Sequence, residues 1–167
     1  MDLIELQNKI YAQNKDMGWH DEPRSFNTFK CLFNSELSES MEGLRKDLMD
    51  DHLPQYKMFW VELADFVVRV FDYLGHIGFK HDYFVSIVAH SDSEIDCLSF
   101  LYDCVTDASR SQPNEGRFLF AAAVSAISFA ESKGVDLLAI INEKVEYNKH
   151  RADHKRENRE KEGGKKF

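Results

Sequence analysis

Residues 33–73 read FNSELSESMEGLRKDLMDDHLPQYKMFWVELADFVVRVFDY, and the rest of the chain is best understood from this stretch. It holds two acidic motifs, Glu36-Leu-Ser-Glu39 and Glu62-Leu-Ala-Asp65, with residues 40–61 between them. Each motif sets two carboxylates three positions apart inside a 3.6-residue apolar pattern, so each pair shares one helix face. Asp50-Asp51-His52-Leu53-Pro54 breaks the pattern between them. If the two helices fold back as an antiparallel hairpin, four carboxylates converge on one spot. A bundle interior does not hold that much negative charge without a cation. A site for a hard metal ion follows as the expectation.

Working outward, the spacing of apolar residues predicts an all-α chain. A first helix over 2–16 carries Leu3, Leu6 and Ile10 on its buried stripe, and a loop holding Trp19 and Pro23 follows. Pro23 disfavours helix at the residue before it. Trp19 either plugs the core or offers a flat face to a ring. A second helix is expected from Ser25 or Asn27 to Leu48, with Phe29, Phe33, Leu37 and Leu44 facing inward. A third is expected from Gln55 to Ile77, with a wide apolar face from Phe59 to Leu74. On the second helix Glu42 extends the acidic series and opens another register, Glu39 with Glu42. Taken alone, that helix is better explained by a solvated acidic face paired with Arg45 and Lys46, and it does not compel a metal. On the third helix Arg69 could bridge Asp65 and Asp72 as a local ladder, but this leaves Glu62 unexplained.

Residues 79–90 read as a connector carrying His81 and His90 as surface residues. Helices over 94–109 and 117–133 follow, joined by a turn at Gln112-Pro113-Asn114, and Gly134 ends the second. Cys97 and Cys104 lie seven apart on one face as core filling, and the three cysteines lack CxxC spacing, which fits reduced thiols. The last helix starts near Val135-Asp136 and is expected to run at least to Arg151. From Glu143 onward, nine Lys and Arg face six Asp and Glu, although the whole chain carries a net charge of −8. Lys144, Asn148 and Arg151 fall on one face of that basic helix and suit phosphate oxygens, which Arg grips bidentately. A solvated helix end favoured by the dipole is the plainer alternative. His150 and His154, four apart, have zinc-ligand spacing but no third ligand close by.

The chain of 167 residues is long enough for one well-filled domain. Its acidity disfavours stable nucleic-acid binding. No apolar run reaches the roughly 20 residues of a membrane span, and the first residues, Met1-Asp-Leu-Ile-Glu, lack the pattern of a signal peptide. A cytoplasmic protein is the expectation.

Glu36-x-x-Glu39 followed by Glu62-x-x-Asp65, with Lys144-Val-Glu-Tyr-Asn148-Lys-His-Arg151 and the terminal Gly-Gly-Lys-Lys-Phe, resembles the all-α NTP pyrophosphohydrolases, the MazG-like superfamily. The segment Glu62 to Asp72 and the Met17-Gly-Trp19-His20 loop fit the same resemblance. Many relatives carry an adjacent glutamate pair at the first motif, where this chain has Ser35 before Glu36. The resemblance implies one domain over 1–155, an antiparallel bundle with a four-helix core, and an added helical hairpin over 80–133. Residues 156–167 would form a basic, flexible tail, and the protein would assemble as a homodimer or homotetramer. It also implies Mg²⁺, with Mn²⁺ as a substitute, and cleavage of a (d)NTP between its α and β phosphates to NMP and pyrophosphate. Glu36, Glu39, Glu62 and Asp65 would hold the metal, one of the first pair serving as general base. Lys144, Asn148 and Arg151 would hold phosphate or sugar, with Lys165 and Lys166 closing over them and Trp19 stacking on the base. Two other readings remain at this level. A di-iron carboxylate bundle would want Glu-x-x-His, which neither motif supplies. A non-catalytic helical interaction protein would leave its acidic patches solvated.

Overall fold

The structure, a computed structural model, describes residues 2–80 and 92–165. His81, His90 and Lys166 lie outside the described residues. The described chain is all-α, and four of its seven α-helices begin where a polar side chain satisfies a free N–H group of the first turn. Asp2 caps α1 (Leu3–Asp16), Ser25 caps α2 (Phe26–Lys46), Ser93 caps α4 (Glu94–Arg110) and Asp136 caps α6 (Leu137–His150). α3 (Met58–His76), α5 (Glu115–Ser132) and the short α7 (Arg156–Arg159) begin without such a side-chain bond.

α2 stops at Lys46, not Leu48, because Asp47 turns left-handed at φ 52° and lets Leu48 N–H reach the Gly43 carbonyl. α3 starts at Met58, not Gln55. Residues 48–57 close into a loop in which Met49 pairs with Lys57 and Met58 N–H donates to the Leu48 carbonyl. Asp50 pins the tip by accepting the N–H groups of His52 and Leu53 at 2.9 and 2.7 Å. That closed loop fixes how α3 returns along α2. Gly43 lies against Met58, Glu36 against Arg69, and Phe29 against Tyr73, so the two helices are antiparallel. The expected hairpin is present.

α3 is the central helix. Thirteen of its nineteen residues are buried, and it packs on α1, α2, α5 and α6. α4 covers α2 and α5. Phe33, Phe66 and Phe71 are wholly enclosed in the core, and each such ring contributes about 1.5–3 kcal/mol by leaving water. Cys97 and Cys104 are buried there as expected, whereas Cys31 is exposed. Among the described residues no helix is long and apolar enough to cross a membrane.

α1 approaches α3 closely because position 75 has no side chain: a Cβ at Gly75 would lie 2.5 Å from Tyr11 Cβ. Alanine here gains about 1 kcal/mol of helix propensity, but the overpacking costs about 1–3 kcal/mol. Gly75→Ala is therefore expected to lower the melting temperature by several degrees, and a stabilised variant would show that α1 is not held this tightly.

α6 ends at His150, short of the expected extension through Arg151, which is extended at φ −64°, ψ 130°. A 3₁₀ turn at Ala152–His154 and α7 then fold the basic tail back onto the loop after α1. Arg156 pairs with Asp21 at 2.7 Å, and Arg159 donates to the Met17 carbonyl while lying 3.6 Å over the Trp19 ring.

Candidate functional site

α2 and α3 bring Glu36, Glu62 and Asp65 together, with one carboxylate oxygen of each within 4.8 Å of the others. Glu36 and Glu62 are buried, and Asp65 is nearly so. Apolar neighbours on the wide face of α3 favour this: Leu63, Phe66 and Val67 fill the core, which leaves positions 62 and 65 open only toward the cavity between the helices. Glu39 stands one turn along α2, exposed at the mouth of the same cavity. Glu42 points away and pairs with Lys46 and Arg45 in solvent, so the alternative Glu39/Glu42 register is not the one that faces α3.

Two cations answer these acids. Lys144, 2% exposed, reaches from α6 to Asp65 at 2.9 Å. Its expected place at phosphate is therefore taken, in this arrangement, by a carboxylate. Arg69 does not form the local ladder with Asp65 and Asp72; its Nε donates across the hairpin to Glu36. Asp72 instead takes the ring of His20 at 2.8 Å. The reason is geometric: α2 packs directly on the Arg69 face, and Glu36 is the buried acid there.

With all four acids ionised, the wall carries four negative charges against the two of Lys144 and Arg69. The acids respond as a frustrated cluster must. Burial, followed by the Asp65 charge, pushes the Glu62 carboxyl far above its usual range. Burial also raises Asp65, with Lys144 opposing and Glu36 adding to the rise. Glu39 is raised by partial burial and by Glu36. Burial disfavours charge on Lys144, yet Asp65 and Glu62 outweigh it and hold the ammonium above its ordinary range. A divalent ion would remove the surplus, and an all-carboxylate donor set suits Mg²⁺ or Mn²⁺ rather than a softer metal. The residues fit the ion.

The cluster forms one wall of a cavity of about 380 Å³. Trp19 from the loop, Lys144 and Asn148 from α6, and Arg151 and Lys165 from the tail line it as well. Nine of the ten residues singled out in the sequence therefore line one cavity; the tenth, Lys166, lies outside the described residues. Arg151 is engaged with Asp153 at 2.8 Å, and Lys165 with the same acid at 3.3 Å. Trp19 is half-buried: Arg159 lies over its ring and His154 meets it edge-on at 5.2 Å. No protein-family model matches the chain, and neither do curated proteins or solved structures. The site has to be read from its own chemistry.

Several lining residues carried no usable sequence signal. Arg24 in the loop and His52 in the α2–α3 turn come from segments with no periodicity, and Asn14 is a polar position near the end of α1. Asp72 was legible as one further position on the Asp65 face of α3. The spacing of His150 and His154 was misleading, because the helix ends between them. His150 sits outside on Glu146, and His154 turns into the cavity, where burial and then Arg151 and Lys165 push its pKa down to about 4.

The raised acids give a signed pH effect. Between their unfolded and folded pKa values, the native protein keeps protons that the unfolded chain has released. The stability they contribute is fully present below about pH 4 and is lost as pH rises through the folded values. Two pH units with one such proton retained amount to about 3 kcal/mol, roughly 5–10 °C for a domain of this size. The metal-free protein is expected to melt lower near pH 7.5 than near pH 5.5, and Mg²⁺ is expected to recover the loss at the higher pH. A metal-free melting temperature that climbs across this interval would contradict the assignment.

Proposed function

We propose that this protein is a Mg²⁺-dependent nucleotide pyrophosphohydrolase of the MazG-like type, acting in the cytoplasm on (d)NTPs and releasing NMP and pyrophosphate. The observation that carries the reading is the convergence of a charge-frustrated carboxylate cluster with cationic and aromatic residues of α6, the tail and the Trp19 loop on one cavity. An acidic patch serving only as solvated surface would not be buried beside two ion-paired cations. The metal-capable cluster contains carboxylates alone, which supports a hard cation over the histidine-bearing di-iron pattern.

Glu36, Glu62 and Asp65 would hold the ion, which when bound supplies charge neutralisation for the phosphates and acidifies a water. Glu39 is the residue for the proton. It stands beside the cluster at the cavity mouth, and its raised affinity for protons is what a general base near neutral pH needs. Water attacks the α-phosphorus, Glu39 accepts its proton, and the bond to the α–β bridging oxygen breaks with pyrophosphate as leaving group. Lys144 and Arg69 keep the ligand carboxylates oriented through Asp65 and Glu36. Arg151 and Lys165 are placed to exchange Asp153 for phosphate oxygens, a charge-assisted contact of the stronger kind. Asn148 and Trp19 line the same cavity and would meet the nucleoside part of the substrate.

The antiparallel bundle with a four-helix core, assembled as a homodimer or homotetramer, belongs to the same proposal. The partly exposed Leu48 and Met49 are compatible with a further apolar contact. Glu39→Gln separates base from ligand. It is expected to lower turnover about 10²–10⁴-fold, the usual contribution of general base catalysis, while Mg²⁺ with a triphosphate still raises the melting temperature. Unchanged turnover, or loss of the metal-dependent stabilisation, would remove Glu39 from that role.

A further inference from the structure

Beyond the carboxylate wall, the cavity contains a second feature that hydrolysis does not explain. Arg24 lines it, yet its Nε and Nη2 donors are shielded from water and have no hydrogen-bond partner. Asn148 lines it too, and its Oδ1 acceptor is likewise shielded and unpaired. Leaving a buried donor or acceptor unmade costs about 1–3 kcal/mol, so a group kept in that state at a cavity wall is matched to something that enters. Arg24 is held by other means. Its guanidinium lies 4.4 Å over the Phe29 ring, and burial, with Arg69 and Arg159, disfavours its charge more than Asp72 favours it. Neither the Arg24 donors nor Asn148 Oδ1 is tied to a protein partner, and both side chains line the cavity.

Position decides which part of a ligand they meet. Asp72 lies seven residues beyond Asp65 on α3, about 10 Å along the axis at 1.5 Å per residue. Arg24 is therefore displaced toward the Asp72 end of the cavity, where Arg159, whose charge bears on it, lies over the Trp19 ring. A ring resting at Trp19 is the part of a nucleotide that this end would meet. Nε and Nη2 form the side edge of the guanidinium, two parallel donors that need two adjacent acceptors. Guanine offers N7 and O6, and cytosine offers N3 and O2; each has an N–H donor immediately beside the pair for an acceptor such as Asn148 Oδ1. Adenine has no two adjacent acceptors, and thymine or uracil places N3–H between its carbonyls.

We infer that Arg24, with Asn148, reads the base of the substrate and selects guanine and cytosine nucleotides over adenine and thymine or uracil nucleotides. This rests on the nucleotide pyrophosphohydrolase reading. The test is calorimetric binding of the α,β-imido forms of dGTP, dCTP, dATP and dTTP, which cannot be cleaved between the α and β phosphates, to the full chain with Mg²⁺. The wild-type protein is expected to bind the dGTP or dCTP analogue roughly 5- to 150-fold tighter than the other two, the discrimination of a good bidentate pair. Arg24→Lys keeps the charge and loses the fork, so the ratio is expected to fall to within about threefold, whatever the absolute affinity. If that variant does not fold, the wild-type ratios decide alone. Equal affinity for all four, a preference for adenine or thymine, or an Arg24→Lys protein weakened equally toward every analogue would overturn the base assignment and leave the hydrolase reading standing. Failure of every analogue to bind would overturn both. Selective binding with no cleavage of the natural triphosphates would retain the base reader and remove the hydrolase.

Discussion

Glu62→Gln is expected to abolish Mg²⁺-dependent turnover, by a thousandfold or more, while making the metal-free protein more stable near pH 8. The two effects have one cause. Glu62 sits 7% exposed against Asp65 and Glu36, and in the absence of an ion it is forced to keep a proton that the unfolded chain gives up. Glutamine has the shape of the protonated acid without that linkage cost. The variant's melting temperature should therefore exceed the wild type's by several degrees near pH 8, match it near pH 5, and show no gain when Mg²⁺ is added. Stability given up for a ligand in this way is the mark of a functional site. A variant that melts lower than the wild type at every pH would mean that Glu62 is a structural acid.

Lys144→Met should do the reverse. Methionine fills much the same volume, but the ammonium that offsets Asp65 and Glu62 disappears from a fully enclosed position. Removing one partner of a buried pair costs about 3–5 kcal/mol, or roughly 10 °C here. The penalty should be largest near pH 8 and shrink toward pH 5, where Asp65 takes up a proton. Circular-dichroism melts at the two pH values check it. An equal loss at both would assign the effect to packing and not to charge.

The comparison of Glu62 with Lys144 also marks what could be read from the sequence. Helices announced themselves through apolar spacing and caps: Ser25, Ser93 and Asp136 stand where side chains close the helix starts. The two acidic motifs were visible because each repeats within one helical turn, and their meeting followed from a short connection. What spacing could not supply was the partner of each charge. Arg69 looked local to α3 but bonds to Glu36 on α2, since ion pairs in a packed interior are chosen by which helix lies opposite. Lys144 looked like a surface phosphate ligand on a basic helix, yet its neighbour in space is Asp65. Helix ends were set by backbone conformation that composition does not encode. Asp47 in the left-handed region stops α2, and Arg151 in the extended region stops α6. Arg24 and His52 were silent because loop residues have no period from which to predict a direction.

The most direct test of the central claim is product analysis after incubating the full-length protein with a panel of canonical (d)NTPs and Mg²⁺ or Mn²⁺. The account predicts nucleoside monophosphate and pyrophosphate in equal amounts, lost on removal of the metal and lost in Glu62→Gln. Nucleoside diphosphate with orthophosphate, or no product from any triphosphate under conditions where the protein is folded, would contradict it.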